Sequence, residues 1–466
     1  MTLERIQELQ EICGSEYVFT DVEKLLHYAH DETEDLSYPP EVVVKPRTPH
    51  EISRILKLAN NYRIPVTPRG AGTGLSGGAL PILGGILLSL ERMNSILEID
   101  EKNLQATVEP GVINEVFQNA LKEKKLFYPP DPASKGSCFL GGNIAENSGG
   151  PKCVKYGVTR DYVLGLEVVL PDGEIIETGS HTLKNSTGYN LTQLMIGSEG
   201  TLGVVTKIIV KLLTYPEHTL LMLVPFRKTE EACQAVSEIF KSGITPSALE
   251  FMERDALEWV CHFVEGNSVK LEPDTQAHLL IEVDGNNTDA LLKEMESLHA
   301  LLSTYDVGEI LFAESTAQKE ELWKLRRKIN EAVKANAISK EQDTVVKRAE
   351  LPALVKGIKE IGAKYGFKSV CYGHAGDGNL HTRIIKGNMK DELWNGTHLK
   401  KAIAEIFMLC KQLGGTISGE HGIGFIQQEY LPLVIDQRSI QLQRSIKKVF
   451  DPNDIMNPGK ILFPTP

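Results

Sequence analysis

No uncharged apolar stretch of this 466-residue chain reaches the roughly 18 residues that a membrane-spanning helix needs. None of its seven cysteines, Cys13, Cys138, Cys153, Cys233, Cys261, Cys371 and Cys410, belongs to a CxxC pair. The first absence argues against a transmembrane helix. The second excludes a self-contained cysteine-ligated iron–sulfur cluster, and the scattered odd count suits reduced thiols in a cytoplasmic protein. The opening segment Met1-Thr-Leu-Glu-Arg-Ile-Gln-Glu-Leu-Gln-Glu-Ile-Cys13 lacks the basic start and apolar run of an export signal. Positive charge is in short supply: 50 Lys and Arg stand against 62 Asp and Glu, a net charge of -12. That balance argues against nucleic acid as a partner, so an anionic substrate has to be captured by a focused local site. Repeats and low-complexity tracts are missing too.

What is present is the balance of a folded, water-soluble protein, 41% apolar and 24% charged. The length exceeds what one core serves, so two or three domains are expected. Apolar residues at helical spacing predict helices at 3–13 and 49–61. From Pro65 to about Leu213 the texture changes to glycine, short apolar runs and turns. Within it, Leu166–Leu170, the turn Pro171-Asp172-Gly173 and Glu174–Thr178 read as a hairpin. Beyond Tyr215-Pro216 strands at 220–225 and 278–283 precede helices at 229–241 and 288–304. The expected class is α+β, with an α/β-sandwich of ferredoxin-like type as the second domain. Its expected parts are a helical segment 1–36, a cofactor domain 37–215, a substrate and metal domain 216–440, and a segment 441–466 returning to the first.

Three glycine-rich segments carry the first chemical signal. The run Arg69-Gly70-Ala71-Gly72-Thr73-Gly74-Leu75-Ser76-Gly77-Gly78 contains GxGxxG, but a dinucleotide turn needs a helix immediately after it. Here Ala79-Leu80-Pro81 and Gly84-Gly85 lead into an apolar run that reads as a strand. What survives is an anion nest of backbone N–H groups beside Arg69, or else an ordinary glycine turn. The second segment runs from Pro129-Pro130-Asp131 through Gly141-Gly142-Asn143-Ile144-Ala145-Glu146-Asn147-Ser148-Gly149-Gly150 to Lys155-Tyr156-Gly157. The third is Gly197-Ser198-Glu199-Gly200-Thr201-Leu202-Gly203-Val204. Together they suggest a long cofactor threaded between strands with its diphosphate on the first loop.

In that order these motifs resemble the FAD-binding domain of the vanillyl-alcohol-oxidase-type (PCMH) flavoproteins. The branch they look most like holds the FAD subunit of glycolate oxidase, D-lactate dehydrogenase and D-2-hydroxyglutarate dehydrogenase. The resemblance implies a PCMH-type FAD domain in which residues 69–74 cradle the diphosphate. It also implies that residues 130–150 and 199–204 line the isoalloxazine and adenine ends. Some relatives attach FAD through a histidine near the first loop. Residues 65–80 contain none, so noncovalent FAD is expected.

The second signal is Tyr372-Gly373-His374-Ala375-Gly376-Asp377-Gly378-Asn379-Leu380-His381-Thr382-Arg383. Two imidazoles brought together across a tight turn suit Zn²⁺, Mn²⁺ or Fe²⁺. On a strand His381 and Arg383 share one face, which stands Arg383 beside the ligand, placed to meet an anionic substrate, and Asp377 reads as a turn residue. Downstream, Ser418-Gly419-Glu420-His421-Gly422 offers a carboxylate to complete the set and a histidine free to act as base. Either motif alone reads equally as surface or core histidines. The resemblance places His374, His381 and Glu420 on metal-ligand positions, His421 on the catalytic base, and Arg326 of Trp323-Lys324-Leu325-Arg326-Arg327 on the substrate-carboxylate arginine. That stretch otherwise reads as the solvated face of a helix. Val346-Lys347-Arg348 departs from the Val-Pro of many relatives and leaves the pocket rim, and so substrate identity, open.

The chain is thus expected to oxidise a small 2-hydroxy acid, of D configuration by resemblance, through FAD and a divalent metal. Electrons would pass to a quinone, an electron-transfer flavoprotein or a separate iron–sulfur subunit, in the cytoplasm or peripherally at a membrane through a partner. The rival expectations are a metal-free flavin alcohol oxidase and a non-catalytic flavoprotein subunit.

Overall fold

A computed structural model describes residues 1–267 and 269–463, and divides them into two compact units. The first comprises Met1–Gly149, Val158–Tyr215 and Glu420–Pro466, and the second Gly150–Gly157 and Pro216–Gly419. The break at Tyr215-Pro216 falls where the sequence texture changes, whereas the return to the first unit begins at Glu420 instead of 441.

In the first unit, helix Leu3–Cys13 starts at an N-cap Thr2 that accepts from the Arg5 N–H. Helix Pro49–Tyr62 starts likewise at Thr48, with proline in its first turn, and ends where Arg63 turns left-handed at φ 51°. These are ordinary cap solutions to orphaned helix-end groups. The second helix turns Ile52, Ile55, Leu56 and Ala59 into a core shared with Val42, Val44, Val66, Ile86, Leu88 and the C-terminal Ile455 and Met456. Strands Val42–Val44, Ile86–Ser89 and Val66–Arg69 lie parallel, with Val18–Phe19 antiparallel at the edge. The apolar run after the glycine loop is a strand only over Ile86–Ser89. Pro81 and the left-handed Gly84 and Gly85 spend the preceding residues on a turn.

A separate antiparallel sheet is ordered Ile96–Asp100, Gln105–Val108, Val204–Lys211, Val163–Val169, Ile175–Gly179. The last two strands are the expected hairpin, closed by Gly173 at φ 83° donating to Leu170. Along Val204–Lys211 buried and half-buried residues alternate strictly, the signature of a strand with one covered face.

The second unit is one seven-stranded antiparallel sheet, ordered Leu311–Phe312, His218–Phe226, Ala277–Gly285, Ala248–Glu253, Lys368–Gly373, Asn379–Ile385, Ser339–Val345. Helices Thr229–Lys241 and Thr288–Leu302 stand where the apolar spacing predicts them. On one face Val260, Leu322, Leu325, Ile329 and Val333 of helices Arg254–Phe263 and Thr316–Asn336 pack on Leu221, Met252, Leu280 and Val370. Among the described residues no helix is long and apolar enough to cross a membrane.

Gly85 sets the register of the parallel sheet that ends at Arg69. Its φ is +74°, and an added Cβ would lie 2.3 Å from the Pro65 carbonyl oxygen. Gly85→Ala is expected to lower stability by about 2–4 kcal/mol, combining left-handed strain with a backbone clash. A urea midpoint within error of wild type would show that the sheet does not need this turn.

Candidate active site

Within the first unit the three glycine-rich segments converge. A Cβ on Gly70 would sit 3.6 Å from Gly142 Cα, and one on Gly200 3.1 Å from Pro68 Cγ. Arg69 ends its strand and folds over Gly72, where a Cβ would meet its guanidinium at 2.1 Å. Gly72 also holds φ +73°, the backbone conformation that calls for glycine there. Gly74, by contrast, is not left-handed. It and Gly142 border open space, with no atom within 4 Å of an added Cβ.

The remaining expected cofactor residues of this unit take defined places. Gly70, Ala71 and Thr73 complete the first loop. The Pro130 carbonyl accepts from Asn114 and Gln118 at 3.1 Å each, and Asp131 is buried beside Lys135. Gly142, Asn143 and Ala145 lie on helix Leu140–Glu146, capped by Asn147 at φ 55°. Glu199 and Gly200 form a left-handed turn that runs through Gly203 into the strand at Val204. Gly150, Tyr156 and Gly157 are placed differently from expectation, since they belong to the second unit. There Lys155 reaches Asp284 at 2.6 Å and the Tyr156 hydroxyl donates to the same carboxylate at 2.8 Å.

The cradle fits a long, partly anionic cofactor on two grounds. Arg69 is buried with an Nη1 that finds no hydrogen-bond partner among the described residues, and Ser76 Oγ is in the same position. A guanidinium N–H turned toward glycine backbone suits a diphosphate oxygen. Behind the loop, burial pushes Glu199 up to about 7 although it accepts N–H groups from Ile423 at 2.8 Å and Gly424 at 2.7 Å. Burial and the neighbouring Glu199 raise Glu146 well above the usual carboxylate range. Sequence reasoning took Glu199 for a cofactor residue, passed over Glu146 and read nothing into Lys460. Burial pulls the Lys460 ammonium down to about 8.

The second unit brings its two histidines together. Gly373 ends one central strand, His374 opens the turn Ala375–Asp377, the left-handed Gly378 closes it, and His381 stands on the next strand. The rings are edge-to-face with centroids 5.5 Å apart. Each Nδ1 faces a carboxylate: Glu250 at 2.8 Å from His374, and Glu341 at 3.2 Å from His381. A carboxylate behind the ring is the usual support of a metal-binding histidine, whose other nitrogen then faces the metal.

Neither glutamate was legible as a site residue. Glu250 interrupts the apolar strand Ala248–Glu253, and an acid there is the only signal the sequence carried. Burial alone would raise Glu250, but Arg326 at 2.6 Å and His374 outweigh it and hold the carboxyl at about 2. Arg326 is therefore buried and paired, not on a solvated helix face, while Trp323 on the same helix donates to Glu282 at 2.9 Å.

Arg383 shares the His381 face, as expected. It is buried and bonded to Glu341, Asn330 and Ser339, and so holds Glu341 behind His381.

Asp343 lies opposite His381 in the strand register, and its carboxylate accepts from Asn379, from Ser418 Oγ at 2.9 Å and from the Gly419 N–H at 2.7 Å. The chain therefore leaves the second unit pinned beside His381, and its next two residues are Glu420 and His421.

Comparison with known proteins agrees with these parts. Residues 40–179 match the FAD binding domain family, and 215–461 match the C-terminal domain of FAD linked oxidases. The chain is 41% identical over 460 residues to glycolate oxidase subunit GlcD of Bacillus subtilis (strain 168), covering 98% of this chain and 96% of that one. It is 36% identical to D-lactate dehydrogenase of Anaerostipes hadrus, covering 99% and 98%. Its fold is that of p-cresol methylhydroxylase, with a TM-score of 0.79 at 16% identity over 99% of this chain and 96% of that one. Joined by an FAD-binding domain to a matching C-terminal domain, and similar to such relatives over nearly its whole length, the chain belongs to the FAD-linked oxidase family and is an FAD-linked oxidoreductase.

Proposed function

We propose that this protein is a metal-dependent dehydrogenase that oxidises a small D-2-hydroxy acid to the 2-oxo acid. The observation that carries the reading is the His374–His381 pair, each ring backed by a carboxylate that is itself paired with an arginine. A structural histidine pair needs no such doubled support. The curated relatives named for glycolate and D-lactate support the substrate class.

His374 and His381 would hold the metal through Nε2, and Glu420, next in the chain after the pinned Gly419, would complete the set. When bound, FAD supplies a two-electron acceptor and the metal an electrophile that acidifies the 2-hydroxyl. Arg326, which keeps 6% of its surface, is the candidate partner of the substrate carboxylate. His421 takes the hydroxyl proton as general base. In the first unit the loop at Arg69–Gly74 binds the diphosphate by hydrogen bonds alone. The acceptor of the electrons is a quinone, an electron-transfer flavoprotein or an iron–sulfur partner, and we place the protein in the cytoplasm.

Anaerobic mixing with a panel of D- and L-2-hydroxy acids should bleach the flavin with a D-acid. Acid precipitation of the same holoprotein should leave its colour in the supernatant. No bleaching by any member of the panel would remove the proposed activity.

Glu250→Gln should weaken metal binding about 10–100-fold while FAD content stays whole, since the His374 support is lost. The unmatched Arg326 should also cost about 3–5 kcal/mol of stability. Metal analysis and urea unfolding check both effects, and stoichiometric metal at wild-type affinity would refute the assignment.

His421→Ala should slow flavin reduction by about 10²–10⁴-fold with metal, FAD and substrate Kd little changed. The deficit should shrink as pH rises and hydroxide takes over the proton. Stopped-flow rates within a few-fold of wild type would take His421 out of the mechanism.

A further inference from the structure

The C-terminal segment Asp451–Ile461 enters the first unit as part of its core. Met456 pairs in parallel with Val66, Val66 donates to the Ile455 carbonyl, and the Asn457 N–H donates to the Val66 carbonyl, each of these bonds at 2.7 Å. Asp451, itself buried, accepts from the N–H groups of Ile455 and Met456 and shapes the turn that follows. These bonds anchor the backbone but leave open what the side chains beyond it are for.

Asn457 is 1% exposed and sits at φ 41°, a conformation that asparagine tolerates better than most residues. Its Nδ2 donates 2.8 Å bonds to two carbonyls from distant parts of the chain, Gly78 at the end of the first glycine loop and Glu199 in the third glycine segment. Its Oδ1 faces Lys460 Nζ at 3.3 Å. Because a lysine offers only donors, that contact sets the amide the right way round for the two carbonyls. Lys460 is 4% exposed and also donates to the Leu80 carbonyl.

Glu199 is the hub of the same arrangement. Its N–H donates to the Ala145 carbonyl within the second glycine segment, its carboxylate accepts from Ile423 and Gly424, and its carbonyl accepts from Asn457. Asn457 thus ties backbone positions in the first and third segments, Lys460 holds its amide in place, and Glu199 carries the tie on to the second segment through its own N–H.

We infer that Asn457 and Lys460 are positioning residues for FAD. They fix the spacing between the loop at Arg69–Gly78 and the turn at Glu199, so that backbone N–H groups and Arg69 meet the cofactor without first being ordered. A cradle assembled in advance binds more tightly than one whose loops are ordered on binding. The inference rests on the reading that the Arg69–Gly74 loop holds the FAD diphosphate.

Asn457→Ala, prepared without FAD and shown folded by circular dichroism, should bind FAD at least about tenfold more weakly in a fluorescence titration. That is the change expected when one or two ordinary hydrogen bonds to loop position are lost. Lys460→Met, which keeps an apolar stem in a buried place, should weaken FAD binding less. A residue that matters only for stability would lower the urea midpoint and leave the FAD Kd of the folded fraction alone. A Kd within twofold of wild type for folded Asn457→Ala therefore overturns the inference.

Should Asn457→Ala fail to fold, amide exchange of the wild-type protein decides. Adding FAD should slow exchange at 455–461 together with 70–78, and unchanged exchange at 455–461 refutes the coupling. Gly74→Val serves as the control for the cradle itself. Undiminished FAD binding by folded Gly74→Val would overturn both readings, whereas its loss alongside normal binding by Asn457→Ala overturns this inference alone.

Discussion

A carboxylate taken out of water must be met by a cation or by aimed N–H groups, and the candidate site depends on how that demand is met at Glu250. The side chain has no exposed surface, yet it stays ionised because Arg326 and His374 flank it. Removing Arg326 would leave a buried charge uncompensated, a far larger penalty than a surface ion pair could recover. The consequence is directional: Glu250 meets His374 at Nδ1 and so fixes how the ring stands. Glu341 and Arg383 repeat the arrangement behind His381 at longer range. The paired imidazoles are thus oriented by charges packed behind them.

The first unit meets the same demand in another way. Glu199 is buried too, but what it receives are backbone N–H groups, and Glu146 stands close behind it. Peptide dipoles satisfy an anion less completely than a guanidinium does, so burial wins and the carboxyl rises to about 7 where Glu250 falls to about 2. One unit therefore uses cations to keep an acid charged and a histidine oriented. The other uses an acid to tie loops together at low net charge.

Much of this was open to reading along the chain because it depends on local spacing. The helices at 3–13, 49–61 and 229–241 follow from apolar periodicity and caps, and the hairpin about Pro171-Asp172-Gly173 from its turn residues. The three glycine segments and the His374–His381 turn are contiguous motifs whose chemistry needs only their own residues. The missing helix after Gly78 was likewise enough to set aside a dinucleotide turn.

What only the tertiary structure decided is which distant residues meet. Glu250 and Glu341 stand as isolated acids within strands, and nothing along the chain couples Glu250 to His374 or Arg326 at separations this long. Arg383 was placed correctly on the His381 face, since strand alternation is local, but its burial against Glu341 and Asn330 depends on a neighbouring strand and a helix. Gly150, Tyr156 and Gly157 read as one glycine-rich stretch with the cofactor segments, and only Asp284 reveals their place in the second unit. The sequence by itself determined the chemical groups, through spacing that any local backbone obeys. Tertiary packing decided which of those groups are paired, buried or left to act, because partner choice is set by contacts between segments hundreds of residues apart.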